Sequence, residues 1–146
     1  MNTCVDQERR QIAGECARRL RVATQTDIVL ARHAGRLVGQ TIGFLHSDLT
    51  LIATVISELG RNILQYAQTG EIEIHRVLKG NLAGIHIIAR DHGPGIANVD
   101  RVVRGGFSTS GGLALGLAGV RRIMDEFDLQ SSPRNGTTVS VIKWKV

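Results

Sequence analysis

Aromatic residues make up only 3% of this 146-residue chain: three Phe, one Tyr and one Trp. The core must therefore be built from Val, Ile, Leu and Ala, which suits an α/β sandwich. A surface for stacking nucleic-acid bases is also nearly excluded. The two cysteines, Cys4 and Cys16, are too few and too unpatterned for a disulfide framework or a zinc site. Their scarcity points to the reducing cytoplasm. The five histidines (33, 46, 75, 86, 92) show no metal-ligand spacing. No apolar run approaches the roughly 20 residues that cross a bilayer, so no membrane contact is expected. Met1 to Arg10 is polar and charged, unlike a secretory signal. The length suggests one domain over residues 1–146 with a single sizeable core. Residues 1–17 read as a flexible leader or a first short helix.

The net charge is +5. Much of it comes from arginines at 9, 10, 18, 19 and 21 and at 101, 104, 121 and 122. They are scattered over several elements, and without aromatics among them the chain is not expected to bind nucleic acid. Facing a triphosphate or an acidic partner is the better use of such charge.

Arg19 to Thr24 alternates and reads as a strand. Asp27 is placed to cap a helix running to about Gly43, with an apolar stripe at Ile28, Ala31, Ala34, Leu37, Val38 and Ile42. Ser47 or Asp48 caps a second helix to about Ala67, whose stripe is Ile52, Ile56, Leu59 and Ile63. Glu71–Leu78 and Gly84–Arg90 read as a hairpin turning at Lys79-Gly80-Asn81. From Gly93 to Gly112 there are six glycines and one proline in twenty residues. A loop that long inside a compact domain is usually functional. Leu113 to Phe127 has helical period. Residues 128–132, 133–136 and 137–146 read as strand, turn and strand.

Four short pieces carry chemistry. Glu58 and Asn62 lie about 40° apart on one helix face. A carboxylate can accept a proton from a hydroxyl, and an amide oxygen can ligate Mg²⁺. Taken alone, the pair reads as a solvated surface. Asp91 ends a strand just before Gly93-Pro94-Gly95, where a carboxylate can accept from an exocyclic amine and glycines let backbone approach a flat base. Ser108-Thr109-Ser110-Gly111-Gly112-Leu113-Ala114-Leu115-Gly116 runs into a helix. Its backbone N–H groups and positive dipole end are aimed at phosphate. Gly136-Thr137-Thr138 opens the last strand, where β-branched threonines are also ordinary strand residues.

In this order, from about Ile52 to Val141, the four pieces resemble the ATP-binding boxes of the GHKL superfamily, which includes gyrase, the heat-shock chaperone ATPase, histidine kinases and MutL. Within it, the chain is most similar to small stand-alone serine kinases that act as bacterial anti-sigma factors and stressosome partner-switching regulators. The likeness is carried by Asp27-Ile28-Val29-Leu30-Ala31-Arg32, the stretches Thr50–Thr54 and Arg61–Ile63, Ser108–Leu113, Gly119–Phe127 and Gly136–Val139.

The resemblance implies an α/β two-layer sandwich, a mixed β-sheet with helices on one face: the Bergerat ATP-binding fold. It implies ATP and Mg²⁺ as cofactors and transfer of phosphate to a serine or threonine of a STAS-domain protein. A PP2C-type phosphatase or a sigma factor would be a further partner. Glu58 would be the base and Asn62 the metal ligand. Asp91, Gly93, Gly95, Thr137 and Thr138 would surround the base, and Gly111, Gly112, Leu113 and Gly116 would form the phosphate lid. Arg61, Arg101 and Arg104 are candidate phosphate contacts. The chain departs from the pattern at Ala114, where relatives carry Gly. If that position needs positive φ, the lid is strained.

Two rival readings remain open at this point. One is a nucleotide-gated binding module with little kinase activity. The other is a histidine-kinase catalytic domain acting in trans.

Overall fold

The computed structural model describes residues 12–95 and 116–146. Its elements run β1 (Ile12–Val22), α1 (Gln25–Ile42), α2 (His46–Tyr66), β2 (Gly70–Lys79), β3 (Leu82–Asp91), α3 (Gly116–Ile123), β4 (Glu126–Ser132) and β5 (Gly136–Trp144). The strands form one sheet in the order β1-β2-β3-β5-β4. The helices cover one face of it.

The expected α/β sandwich is present, but every described strand pair is antiparallel, where a mixed sheet was expected. The connections explain this. Between β1 and β2 the chain makes a helical hairpin, an even number of crossings, and so returns to the end at which β1 stopped. β2–β3 and β4–β5 are antiparallel neighbours in sequence, and β5 returns between β3 and β4 to pair antiparallel with both.

The first strand begins at Ile12, well before the expected Arg19, so residues 12–17 belong to the sheet and not to a leader. β1 pairs along the whole length of β2, from Ile12 opposite Lys79 to Val22 opposite Gly70. A register shift between Cys16 and Arg18 breaks the alternation, and such a bulge hides a strand from a period-two search. Residues 1–11 of the expected leader lie outside the described residues.

Both long helices start earlier than expected. Thr24, not Asp27, is the N-cap of α1, and Asp27 sits at the third helical position. The Thr24 hydroxyl accepts from the Asp27 N–H, and the Asp27 carboxylate accepts from the Thr24 N–H at 3.1 Å, a reciprocal capping box. Gly43 closes the helix at φ 104°. α2 begins at His46 after Leu45, without a side-chain cap from Ser47 or Asp48.

The core lies between α1–α2 and the inner sheet face. Ile52, Ile56, Leu59 and Ile63 of α2 are sealed against Ile72, Ile74, Ile85, Ile87, Val139 and Val141. Each such side chain contributes about 1.5–3 kcal/mol of burial. The two helices approach closely at small residues: a Cβ on Gly60 would meet Ile28 Cγ1 at 2.8 Å. On the opposite sheet face, buried Glu73 is held by Arg19 at 3.1 Å and by Arg90. Cys16 and His75 stand within 4.8 Å of its carboxylate. With two guanidiniums already on Glu73, this cluster is an ion-pair hub that repels a cation.

Candidate nucleotide site

The C-terminal half of α2, the end of β3, the start of β5 and the first turn of α3 converge on one cleft. Asn62, Tyr66, Asp91, Leu117, Thr137 and Val139 are among its walls. Leu59, Asn62, Ile63 and Tyr66 form its α2 side at helical spacing i, i+3, i+4, i+7. The cleft is narrow, with room for about one water, so a purine fits only when its walls part.

Asp91 anchors the floor. It is only 5% exposed. Its Oδ1 accepts from the backbone N–H of Gly93 at 3.0 Å and of Thr137 at 3.2 Å. Its Oδ2 carries no hydrogen bond among the described residues. One oxygen thus fixes the side chain and the other is left for a ligand.

The surrounding backbone is shaped for this. Gly136 has φ 73°, and a Cβ there would collide with the Asp91 carbonyl. Only glycine both adopts that backbone easily and lets β5 pass so close to β3. Gly95 has φ 81°, and a Cβ on it would lie 2.6 Å from the Ser132 carbonyl oxygen. Thr137 is buried on the cleft side, its hydroxyl 2.9 Å from that of Ser131. Thr138 falls on the opposite sheet face, between Arg90 and Gln130 in register. The period of the strand therefore selects Thr137.

Glu58 is buried, although the helical wheel placed it toward a polar edge. Its Oε2 accepts from the N–H of Gly116 at 3.2 Å, the first residue of α3, and its Oε1 pairs with Arg61 one turn along. A carboxylate at a helix N-terminus is favoured by the unpaired N–H groups there. Arg61, expected to meet phosphate, is thus tied to Glu58. Asn62 lines the cleft, and its buried amide nitrogen has no partner among the described residues. The side chain is not committed to the fold, so a ligand can be met by its oxygen or its nitrogen.

The structure therefore brings together Glu58, Asn62, Asp91, Gly93, Gly95, Gly116 and Thr137, and leaves Thr138 outside. Gly111, Gly112, Leu113, Ala114, Arg101 and Arg104 lie outside the described residues. Sequence reasoning missed Tyr66 and Ser131. Tyr66 follows Asn62 by four residues and was detectable as a face-mate; Ser131 becomes visible only through the β4–β5 register.

A layer of helices over an antiparallel sheet, with a helix amide sharing a cleft with a buried acid at a strand end and a carboxylate one turn before it, defines an ATP-binding domain of the gyrase and histidine-kinase type. The chain belongs to the histidine kinase-, DNA gyrase B-, and HSP90-like ATPase family, whose sequence model matches residues 47–146.

Over 125 residues it is 50% identical to the serine/threonine-protein kinase RsbT of Bacillus subtilis (strain 168), a match covering 86% of this chain and 94% of the relative. It is 33% identical over 103 residues to an anti-sigma F factor of Anoxybacillus flavithermus (strain DSM 21510 / WK1), covering 66% of this chain and 69% of that one. An anti-sigma F factor of Geobacillus thermodenitrificans (strain NG80-2) is 32% identical over the same shares.

Proposed function

We infer that this protein is a serine/threonine-protein kinase of the partner-switching type, taking phosphate from Mg-ATP. The observation that carries the chemistry is the placement of Asn62 and Asp91 in one cleft, with Glu58, one turn before Asn62, bonded to the first residue of α3 beside it. The likeness to a serine/threonine-protein kinase over most of both chains supports the reaction class.

Asp91 Oδ2 accepts from the exocyclic amine of adenine. Its geometry is set before binding by the two amides on Oδ1. Thr137, held by Ser131, meets the edge of the base. The side-chain oxygen of Asn62 would hold Mg²⁺, and the ion, when bound, would offset charge on the phosphates. Glu58 accepts the proton of the attacking hydroxyl, and the Gly116 amide holds its carboxylate in position until then. Phosphoryl transfer needs little covalent help, so positioning supplies most of the rate.

The acceptor is a serine or threonine on a STAS-domain protein of the stressosome or antagonist kind, in the cytoplasm. A PP2C-type phosphatase or a sigma factor is the partner whose access the phosphorylation switches. A purely nucleotide-gated binding module would need no proton acceptor at Glu58, only the structural contacts it makes with Gly116 and Arg61.

The test is incubation of the protein with labelled Mg-ATP and STAS-domain proteins from the same cell, followed by phosphosite mapping. Acid-stable phosphate on serine or threonine is expected. Acid-labile phosphate would indicate a histidine acceptor, and no transfer would leave a binding module.

A further inference from the structure

The nucleotide cleft is shut in this structure, and α3 is the wall that can give. The other walls are fixed by the fold. Asp91 and Thr137 belong to the paired strands β3 and β5, and Leu59 and Ile63 of α2 are sealed in the core. Leu117 closes the cleft from the first turn of α3. That helix has only eight residues. It starts at Gly116 in left-handed backbone, φ 64°, with open space where a Cβ would stand.

Glu58 holds that first turn. Its Oε2 accepts from the Gly116 N–H at 3.2 Å, while its Oε1 is taken by Arg61. The carboxylate supplies the acceptor that an unpaired N–H at a helix start requires. Glu58 is also only 4% exposed, so a hydroxyl on another protein cannot reach it. The contact that keeps the cleft shut is thus the one that hides the base.

We propose that the Glu58–Gly116 contact is a latch that makes the base available only once an adenine nucleotide has entered. A purine needs Leu117 to draw back. That movement takes the Gly116 N–H off Glu58, and the carboxylate, still paired with Arg61 on its own helix, then faces the opened site. Val120, one turn further along α3, is fully buried and keeps the rest of the helix docked. Nucleotide before protein substrate is the binding order this imposes. Because the open form is only part of the population, the latch lowers apparent affinity for any adenine ligand, with or without phosphates. The proposal rests on the nucleotide reading of the cleft and adds to it how that site is regulated.

The experiment is calorimetric titration of the full chain with adenosine and with Mg-ATP, comparing wild type, Glu58→Gln and Glu58→Ala. Glutamine still accepts from the Gly116 amide and should leave adenosine affinity near that of wild type. Alanine removes the acceptor, and adenosine should bind roughly 5- to 20-fold tighter. Adenosine carries no charge, so a gain confined to Mg-ATP would be relief of charge repulsion alone and overturns the latch. Equal adenosine affinity in wild type and folded Glu58→Ala overturns it too. Wild type supplies a second reading that stands even if Glu58→Ala folds poorly. In glycine-labelled protein the amide resonance of Gly116, identified by its absence in Gly116→Ala, should move on saturation with adenosine. An unmoved resonance overturns the latch while the nucleotide site stands. Binding of neither ligand to wild type overturns the nucleotide reading itself, and the latch with it.

Discussion

Replacing Asp91 by Asn separates base recognition from folding, because the structure dictates which way the amide must turn. Oδ1 accepts from the Gly93 and Thr137 amides. An asparagine has to put its oxygen there, since its NH₂ would otherwise face two donors. The NH₂ is then forced into the place of Oδ2, where it confronts the adenine amine, donor against donor. A charge-assisted hydrogen bond is lost, about 1.5–3 kcal/mol, or roughly 10- to 150-fold in Kd for ATP. The fold keeps both amide contacts and should melt within a few degrees of wild type. Asp91→Ala provides the contrast. It strands two N–H groups in a buried place, each costing about 1–3 kcal/mol, so stability should fall together with affinity. Calorimetric titration with ATP and GTP, beside thermal melts, reads all of these quantities. Unchanged ATP affinity in Asp91→Asn, or equal losses for ATP and GTP, would refute the reasoning.

Three further outcomes follow from the same geometry. Asn62→Ala should weaken nucleotide binding in Mg²⁺ and change it less in EDTA, which paired titrations would show. Gly136→Ala forces a Cβ into left-handed backbone against the Asp91 carbonyl and should cost about 2–5 kcal/mol, visible as a lower denaturation midpoint and weaker ATP binding. His86, whose Nε2 lies 2.6 Å from Ser140 Oγ, is driven from the ordinary 6.5 to about 4, first by burial and then by the neighbouring His75; Glu126 pulls the other way. The unfolded chain therefore binds the extra proton first, and stability present above pH 6.5 is lost as pH falls toward 4. After allowance for solvent screening this amounts to about 1–2 kcal/mol. Urea midpoints of wild type and His86→Gln across that range should converge at low pH.

Much of the fold was legible because its signals are local. The α2 stripe at Ile52, Ile56, Leu59 and Ile63 is a clean helical period, and the β2–β3 hairpin turns at Lys79-Gly80-Asn81 as its residues require. The start of β1 was hidden by a bulge at Ala17, a feature that only pairing with β2 makes necessary. Sheet direction was not readable either, because it depends on how many times the chain crosses between strands. In the site, residue types and spacing picked out Glu58, Asn62 and Asp91 only as candidates, and the family resemblance supplied the roles proposed for them. They could not show that Glu58 is buried under the first turn of α3, or that Arg61 is tied to it. The choice between Thr137 and Thr138 follows from which side of β5 faces the cleft, and that needs the register with β3.

The most direct test of the account is single-turnover phosphorylation of the protein substrate by Glu58→Gln. Glutamine keeps the shape of the side chain and can still accept from the Gly116 amide, but it cannot take a proton. Mg-ATP should bind as in wild type while transfer slows about 10²- to 10⁴-fold, nearer the lower end because a loose transition state asks little of a base. Transfer at the wild-type rate would make Glu58 structural, contradict its assignment as the base, and favour a nucleotide-gated binding module.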